Sequence, residues 1–392
     1  MLGRRSALLS AAALSACATP QRGPAVPPED ALRAQVLGVP DERFVAGAMT
    51  EGFRRVFGEA LARRRAVLGL RPNEPMPYFE LLGISGGGED GAFGAGVLTA
   101  WADRPQFNLV TGVSTGALTA PFAYLGPAWD DGLRRVYTGV RLADVAERRA
   151  WTALLFDDAL LDTAPLFRLI SRELDARMLD AIATEHRRGR LLLIGTTNLD
   201  NGTPVVWNIG AMAASGHPRA PEVIRKVLLA SASIPGAFPP VLFDVEVRGR
   251  RHQELHVDGG AIAQVFLYPT ALGEERVAAM RAGRRVPPIR AWVIRNGRLD
   301  AEWAETGRRT FSIAQRAVST MLFSSGYHDA ERLWLTAERD GIDFNLTWIT
   351  PDANVTYTEP FDPVYMRALF DYGQARVRSG NAWHKRPPIG GA

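Results

Sequence analysis

Residues 112–116 form a GxSxG pattern with Ser114 at its centre. The largely apolar run 107–113 before it and the small and apolar residues 115–124 after it are typical of a buried strand and a packed helix. A serine at such a tight turn is raised out of the sheet, because the flanking glycines lack the Cβ atoms that would obstruct the bend. The pattern predicts a nucleophile, and the alternative is a serine that only caps the helix.

A glycine-rich turn lies a short distance upstream, at residues 86–91. Gly86, Gly88 and Gly91 also fit GxGxxG, the pattern of a dinucleotide-binding fold. That fold needs an acidic residue at the end of its second strand, where this chain has residues 112–114, and the pattern GxxxxGK[ST] does not occur in the sequence. Successive N–H groups that no side chain shields can converge on one oxygen, so the turn predicts an oxyanion site.

The third segment is Asp258-Gly259-Gly260, which follows the strand-like run 252–257. Asp258 is therefore expected at the carboxyl end of a strand, the edge along which ligand sites of open α/β sheets lie. The alternative is a turn that only ends the strand, since Asp-Gly is common there.

In this order, the three segments resemble the patatin-like phospholipase family, which combines GGGxxG, GxSxG and a later DG[GA]. Residues 231–240 and 191–198 also resemble family blocks, and the resemblance covers residues 77–269. It implies a three-layer α/β/α fold with a mainly parallel central sheet, a nucleophile elbow and helical insertions. It also implies Ser114 as the nucleophile and Asp258 as the second member of a Ser–Asp dyad. It gives the oxyanion hole to Gly86, Gly87, Gly88 and Gly91.

Two positions depart from the family pattern. The family usually has Asp before the glycines and Arg or Lys within the loop, whereas this chain has Ser85 and Asp90. A carboxylate that points at an oxyanion opposes its charge. Asp90 therefore bears on the rate and the head-group preference more than on the reaction class.

The dyad predicts a serine acyl-ester hydrolase in which Asp258 accepts the proton of Ser114 and water hydrolyses the acyl-enzyme. An ordinary aspartate is a weak base at neutral pH, so burial that raises its pKa is expected. The rival is a triad with a histidine. His256 is the foremost rival because it shares a strand face with Asp258, although a hydrogen bond within the sheet is the favoured role for it. The histidines of the chain are His186, His217, His252, His256, His328 and His384.

Two other functions use the same residues. An acyltransferase would form the same acyl-enzyme and pass the acyl group to another acceptor. A catalytically inactive lipid-binding lipoprotein is the non-enzymatic alternative, which Asp90 favours. No cofactor and no metal are expected, because the sequence has neither HExxH nor clustered histidines and carboxylates. The formal charge of +4 gives no indication of nucleic-acid binding, so a lipid or phospholipid ester is the expected partner.

Residues 1–16 have the features of a signal peptide: Arg4 and Arg5 precede an apolar run that is too short to span a bilayer. Residues 14–17 resemble a bacterial lipobox, in which Cys17 becomes the lipidated first residue. Cys17 is the only cysteine, so no disulfide within the chain is possible. The expected location is the cell envelope, lipid-anchored on the periplasmic side, in the outer membrane. The alternative is plain secretion after cleavage.

The rest of the chain is expected to form one catalytic unit. Residues 17–40 are proline-rich and predict an extended tether, and residues 41–75 predict a packed amphipathic helical segment. Residues 76–275 form the predicted catalytic core, and residues 276–392 complete the same domain. The apolar excursion at residues 151–165 is expected to line an acyl pocket, act as a lid or form a packed helical insertion.

Overall fold

A computed structural model of the 392-residue chain describes residues 22–71, 74–148, 161–300, 305–308 and 310–388. Its strands are β1 (Arg43–Val45), β2 (Phe79–Ile84), β3 (Leu109–Val113), β4 (Glu147–Arg148), β5 (Leu161–Asp162), β6 (Leu191–Asn198), β7 (Thr203–Asn208), β8 (Val241–Val247), β9 (Arg250–Asp258), β10 (Ile289–Arg295) and β11 (Asp343–Trp348). Its α-helices are α1 (Met49–Val67), α2 (Gly91–Ala100), α3 (Thr115–Leu125), α4 (Asp130–Gly139), α5 (Leu142–Val145), α6 (Ala164–Glu173), α7 (Ala176–Arg187), α8 (Ile209–Ala214), α9 (Ala220–Ser231), α10 (Thr270–Arg281), α11 (Thr310–Asp340) and α12 (Pro363–Arg378).

The central sheet has nine strands, seven of them in the order β1-β7-β6-β3-β2-β10-β11. β9 also pairs with β6, and β8 pairs with β9. Neighbours from β6 through β3, β2 and β10 to β11 are parallel, whereas the pairs that involve β1, β7, β8 and β9 are antiparallel. β2 and β3 are adjacent and parallel, so the glycine turn and the serine turn that follow them lie at the same sheet edge.

Apolar side chains alternate along the central strands and form two cores, one on each face of the sheet. On one face, Leu82 and Ile84 pack with buried residues of α2, α3 and α9. On the other face, Phe79 and Leu81 pack with buried residues of α1 and α11. Helices thus cover a mixed, mostly parallel sheet on both sides, and the expected three-layer α/β/α fold is confirmed.

The segment expected as a tether differs from the prediction. Its described part, residues 22–40, packs against the hairpin of β8 and β9. Arg22 donates hydrogen bonds to both carboxylate oxygens of Asp200, at 2.5 and 2.9 Å, and Gln35 forms a bridge with Glu246. Ala34 and Val36 are buried in the core, and a 3₁₀ helix spans Pro28–Arg33. Proline content alone does not reveal these partners, because they lie about 200 residues away in the sequence.

Two further elements differ in extent from the sequence-based expectation. The helix expected within residues 41–75 begins only at Met49, because Arg43–Val45 form a strand on the edge of β7. α11 is 31 residues long, whereas the sequence predicts a helix only over residues 311–322. Both β10 and β11 belong to the central sheet, so residues after 276 contribute strands to the same unit.

Several sequence-based predictions lie outside the described residues. These are the signal peptide at residues 1–16, the lipidation site Cys17 and residues 151–160 of the apolar excursion. Helix α6 begins at Ala164, whose N–H donates to Asp162, and Pro165 occupies its first turn, a position that suits proline. Within the part of the chain that is described, no helix has both the length and the apolar character needed to cross a bilayer.

Candidate active site

Ser114 occupies a strained corner between β3 and α3, with φ 55° and ψ −126°. This backbone conformation is rare for a residue with a side chain. The two flanking glycines permit the bend. A Cβ atom on Gly112 would lie 2.5 Å from the carbonyl oxygen of Gly116, and one on Gly116 would overlap the carbonyl oxygen of Ile84. The predicted nucleophile elbow is therefore present, and a role for Ser114 as a simple helix cap does not explain its strain.

Asp258 ends β9, which pairs with β6 so that Asp258 faces Thr196. The following glycine brings it next to the end of β3. A Cβ atom on Gly259 would lie 2.6 Å from the carbonyl oxygen of Gly195 and 3.1 Å from the Val113 side chain. Because Val113 immediately precedes Ser114, the two predicted catalytic residues meet at one edge of the sheet.

The last residue of α9 and the segment that follows it hold both residues in place. The hydroxyl of Ser231 accepts a hydrogen bond from the N–H of Ser114 at 3.0 Å and donates one to the carbonyl of Gly195 at 2.7 Å. The carbonyl of Ser233 accepts from the N–H of Asp258 at 2.9 Å. The block at residues 231–240 that resembles the family thus has a structural role, because its first residues connect the strands that carry the pair.

The carboxyl group of Asp258 is buried, and this burial raises its pKa to about 7. Hydrogen bonding from the Ser114 hydroxyl and the Gly260 N–H acts in the opposite direction. Oδ1 accepts the Gly260 N–H at 2.7 Å. Oδ2 is buried and has no hydrogen-bond partner of standard geometry among the described residues, although the Ser114 hydroxyl is close enough to affect the pKa. Catalytic hydrogen bonds are often loose without substrate, so Oδ2 is the oxygen available to take a proton from Ser114.

The glycine turn supplies backbone donors next to Ser114. Gly87 and Gly88 have φ values of 155° and 57°, which favour glycine. Among the described residues, their N–H groups have no hydrogen-bond acceptor, and neither has the N–H of Thr115 at the start of α3. Thr115 was not predicted from the sequence, although the residue after the nucleophile of an elbow is a known source of such a donor. These three groups are the candidate oxyanion donors.

Gly86 and Gly91 differ from the role that the resemblance implied. The Gly86 N–H donates to the carbonyl of Gln264 at 3.0 Å, and the Gly91 N–H donates to the carbonyls of Gly88 and Glu89 in the 3₁₀ turn before its helix. Both amides are therefore occupied in this structure. Glycine is needed at both positions for space: a Cβ atom on Gly86 would lie 3.1 Å from that of Ser114, and one on Gly91 would overlap the Thr115 hydroxyl.

The acidic residue in the loop, Asp90, is engaged by side chains behind the oxyanion donors. Its Oδ1 accepts a hydrogen bond from the Tyr365 hydroxyl at 2.6 Å. It also interacts electrostatically with the guanidinium of Arg295: burial lowers the pKa of that group, and the attraction to Asp90 opposes this shift. The negative charge that favoured an inactive lipoprotein therefore has a positive group close by.

A cavity of about 60 Å³ adjoins Ser114 and is lined mainly by apolar side chains. Leu166 and Leu169 of α6 contribute to it, immediately after the apolar excursion. Glu89 contributes a carboxyl group, and burial raises its pKa. The other lining residues are Gly88, Thr115, Leu118, Val136, Tyr137, Val140, Val145, Ala232, Ile234, Phe238, Phe361 and Met366. The apolar lining suits the acyl chain of an ester.

His256 forms hydrogen bonds within the sheet. Its side chain is fully buried, Nδ1 lies 2.9 Å from the Thr196 hydroxyl, and Nε2 lies 3.1 Å from Oε2 of Glu254. Glu254 in turn forms an ion pair with Arg43. Burial lowers the pKa of His256. Since both ring nitrogens have partners other than Ser114 and Asp258, the favoured sheet role is confirmed.

Replacing His256 with glutamine is expected to leave kcat for ester hydrolysis within about threefold of the wild type while lowering the melting temperature, because a buried hydrogen-bonded group is lost. Steady-state kinetics and thermal unfolding of the same preparation measure the two effects. A folded variant without activity would instead favour a triad.

Comparison with known proteins gives a family to which part of the chain is similar. A family model described as patatin-like phospholipase matches residues 82–270, which include the glycine turn, Ser114 and Asp258. Residues 82–270 are thus similar to a patatin-like phospholipase domain. At the level of the family, such a domain is a lipid acyl hydrolase.

Human GIVD cytosolic phospholipase A2 is among the solved structures similar to the chain, with a TM-score of 0.28 and 12% sequence identity. The similarity covers 79% of this chain and 53% of that one, so this chain spans about half the length of the human protein. A comparison with curated proteins gives no match.

Proposed function

We propose that this patatin-like protein is a serine acyl-ester hydrolase that uses Ser114 and Asp258 as a catalytic dyad. The observation that supports the proposal most is the buried Oδ2 of Asp258, which has no hydrogen-bond partner of standard geometry in the described residues and lies beside a strained serine. A buried carboxyl with a pKa of about 7 is a better base at neutral pH than an exposed one. Acyl transfer also requires donors to the oxyanion. The N–H groups of Gly87 and Gly88 before Ser114, and that of Thr115 after it, are available for this role.

The first half-reaction forms an acyl-enzyme. Oγ of Ser114 attacks the carbonyl carbon of the ester, and its proton passes to Oδ2 of Asp258. The N–H groups of Gly87, Gly88 and Thr115 stabilise the oxyanion, each contributing on the order of 10²-fold to the rate. As the tetrahedral intermediate collapses, the alcohol leaves and takes the proton from Asp258.

The second half-reaction repeats these steps with water. Asp258 removes a proton from the water as it attacks the acyl carbon, and the proton then returns to Oγ of Ser114 when the fatty acid leaves. The mainly apolar cavity beside Ser114 holds the acyl chain in this scheme. Lipid or phospholipid esters are the proposed substrates.

The proposed location is the cell envelope, on a lipid attached to Cys17, as the lipobox-like residues 14–17 suggest. Arg22 is held against the domain by its ion pair with Asp200. The residues from 17 to 22 span at most about 18 Å when fully extended, so the anchor would keep the domain close to the bilayer. Replacing Cys17 with serine should move the protein from the membrane fraction to the soluble fraction, and unchanged fractionation would oppose the proposal.

The decisive experiment combines turnover with labelling of the nucleophile. The full chain in detergent should hydrolyse a medium-chain p-nitrophenyl ester with a burst of p-nitrophenol, and a fluorophosphonate should add one adduct to the peptide that contains Ser114. Both signals should disappear in folded Ser114→Ala. Turnover no faster than that of Ser114→Ala, on this ester and on dispersed phospholipid, would favour a lipid-binding protein.

A further inference from the structure

Arg295 ends β10 directly behind the oxyanion loop, and only 5% of its surface is exposed. Its Nη1 atom lies 3.0 Å from the carbonyl oxygen of Gly86, 3.3 Å from the Ser85 hydroxyl and 3.4 Å from the carbonyl oxygen of Asn296. No sequence pattern indicates a role for this residue, because it is about 200 positions away from the loop and belongs to no motif.

Among the described residues, Asp90 and Asp329 are near enough to the Arg295 guanidinium to raise its pKa, but neither forms a direct salt bridge with it, and its Nε has no hydrogen-bond partner there. Burial lowers its pKa to about 10, while the charges of Asp90 and Asp329 act to raise it, so it remains protonated at neutral pH. Burying a charge without an ion pair costs several kcal/mol, and proteins tolerate this mostly where the charge has a function.

The contact with Gly86 fixes the direction of the next N–H group. In a trans peptide the C=O of one residue and the N–H of the next point in opposite directions. Arg295 and the Ser85 hydroxyl both donate to the Gly86 carbonyl, the latter at 2.6 Å, so the N–H of Gly87 is directed away from them. The Gly86 N–H is held separately by the carbonyl of Gln264. Hydrogen bonds thus hold both the N–H and the carbonyl group of Gly86.

A helix of the opposite layer leaves room for this guanidinium. Gly326 lies inside α11, where glycine destabilises a helix by about 1 kcal/mol relative to alanine. A Cβ atom at this position would lie 2.5 Å from Nη2 of Arg295. Glycine at position 326 is therefore explained by packing, because the absence of a side chain leaves space for the Arg295 guanidinium.

We propose that Arg295 is a positioning residue for ester hydrolysis: it holds the Gly86 carbonyl so that the Gly87 N–H points at the oxyanion, and it supplies the positive charge that the loop itself lacks. Residues 86–91 of the loop include Glu89 and Asp90 but no Arg or Lys. Arg295 approaches from another strand and stabilises the developing negative charge through the aligned peptide group and through its own field. The inference rests on the proposed function.

The test compares Arg295→Gln, Arg295→Lys and Gly326→Ala with Arg190→Gln in the full chain. Arg190 is a matched control because it is also buried and donates to the backbone carbonyls of Phe107 and Tyr124, away from Ser114. With a p-nitrophenyl ester, Arg295→Gln should lower kcat about 100-fold with KM within threefold, since one misdirected oxyanion donor has that effect. Arg295→Lys should recover about tenfold of that loss, and Arg190→Gln should leave kcat within threefold.

Gly326→Ala keeps the Arg295 guanidinium but displaces it, so this variant should lower kcat about tenfold. It should also remain folded, even if Arg295→Gln does not fold. Wild-type kcat in folded Gly326→Ala or Arg295→Gln, or an equal loss in Arg190→Gln, would overturn the proposal. Hydrogen–deuterium exchange of the peptide containing residues 85–91 gives a readout independent of catalysis. Exchange should accelerate in Arg295→Gln and in Gly326→Ala but not in Arg190→Gln. If the wild type has no esterase activity, the proposed function fails, while this exchange still decides whether Arg295 holds the loop.

Discussion

Replacing Asp258 with asparagine is expected to abolish ester hydrolysis and, at pH 7 and above, to make the protein more stable. The catalytic loss should be at least about 10³-fold in kcat/KM, because asparagine cannot accept the proton of Ser114. The gain in stability arises because the wild-type carboxylate is charged in a buried site. An amide of nearly the same shape keeps the hydrogen bond from Gly260 to Oδ1 without that charge.

The pH dependence of the stability follows from the direction of the pKa shift. Burial raises the pKa of Asp258 from 3.8 to about 7, so the folded protein holds the proton more tightly than the unfolded chain. The wild type therefore has its full stability from this group below pH 3.8 and loses it progressively as the pH rises to about 7. A shift of this size corresponds to up to about 4 kcal/mol. Asp258→Asn has no titrating group at this position. The difference in stability in favour of the variant should therefore grow from pH 3.8 to about pH 7 and then stay constant.

The pH dependence of activity runs in the opposite direction. Only the deprotonated Asp258 can act as a base, so kcat/KM of the wild type should rise with pH and level off above about 7. Chemical denaturation at pH 4 and pH 8, together with a pH–rate profile, measures both effects.

Asp340→Asn is the matched control. Asp340 is also buried but accepts hydrogen bonds from Tyr268 at 2.8 Å and Arg339 at 2.6 Å, away from the sheet edge with Ser114. Its replacement should lower stability, because the ion pair with Arg339 and the hydrogen bond from Tyr268 to a carboxylate are lost, and should leave kcat/KM within about threefold. If Asp258→Asn were less stable than the wild type at pH 8, or retained activity, Asp258 would not be the buried base.

The parts of this site that were predictable from the sequence are those determined by local chain geometry. The pattern GxSxG specifies a bend that only glycines allow on either side of Ser114, and the same reasoning placed Asp258 at the end of a strand. The central strands were predictable as well, since short apolar runs bounded by glycine-rich turns are typical of parallel sheets. Their order in the sheet was not predicted.

The parts that were not predictable depend on contacts between distant segments. Which glycine amides of the loop are free depends on Gln264, whose carbonyl occupies the Gly86 N–H. Proline content predicted a tether, but the described residues 22–40 pack against β8 and β9. Composition could not reveal this packing, because it does not show an ion pair such as that of Arg22 with Asp200. Arg295 was missed for the same reason, although its charge changes how Asp90 should be interpreted.

Replacing Ser114 with glycine or with alanine is expected to abolish activity equally but to affect stability differently. Both variants lack the nucleophilic oxygen, so kcat should fall at least about 10⁴-fold in each. Alanine keeps a Cβ atom in a backbone conformation of φ 55° and ψ −126°, whereas glycine adopts it without strain. Strain of this kind costs about 1–3 kcal/mol, and the greater entropy of glycine in the unfolded chain offsets part of the gain.

The expected difference is therefore about 1 kcal/mol in favour of Ser114→Gly over Ser114→Ala, measured as the free energy of unfolding in urea. Thr119→Ala against Thr119→Gly provides the contrast, because Thr119 lies within α3, where glycine should be less stable than alanine by about 1 kcal/mol. Equal stability of the two Ser114 variants would mean that the corner stores no strain. Residual hydrolysis in both, at more than a hundredth of the wild-type rate, would mean that another group attacks the ester. A reversed order of stability at Ser114 and the normal order at Thr119 would together show that the fold bears a local cost to hold its nucleophile above the sheet.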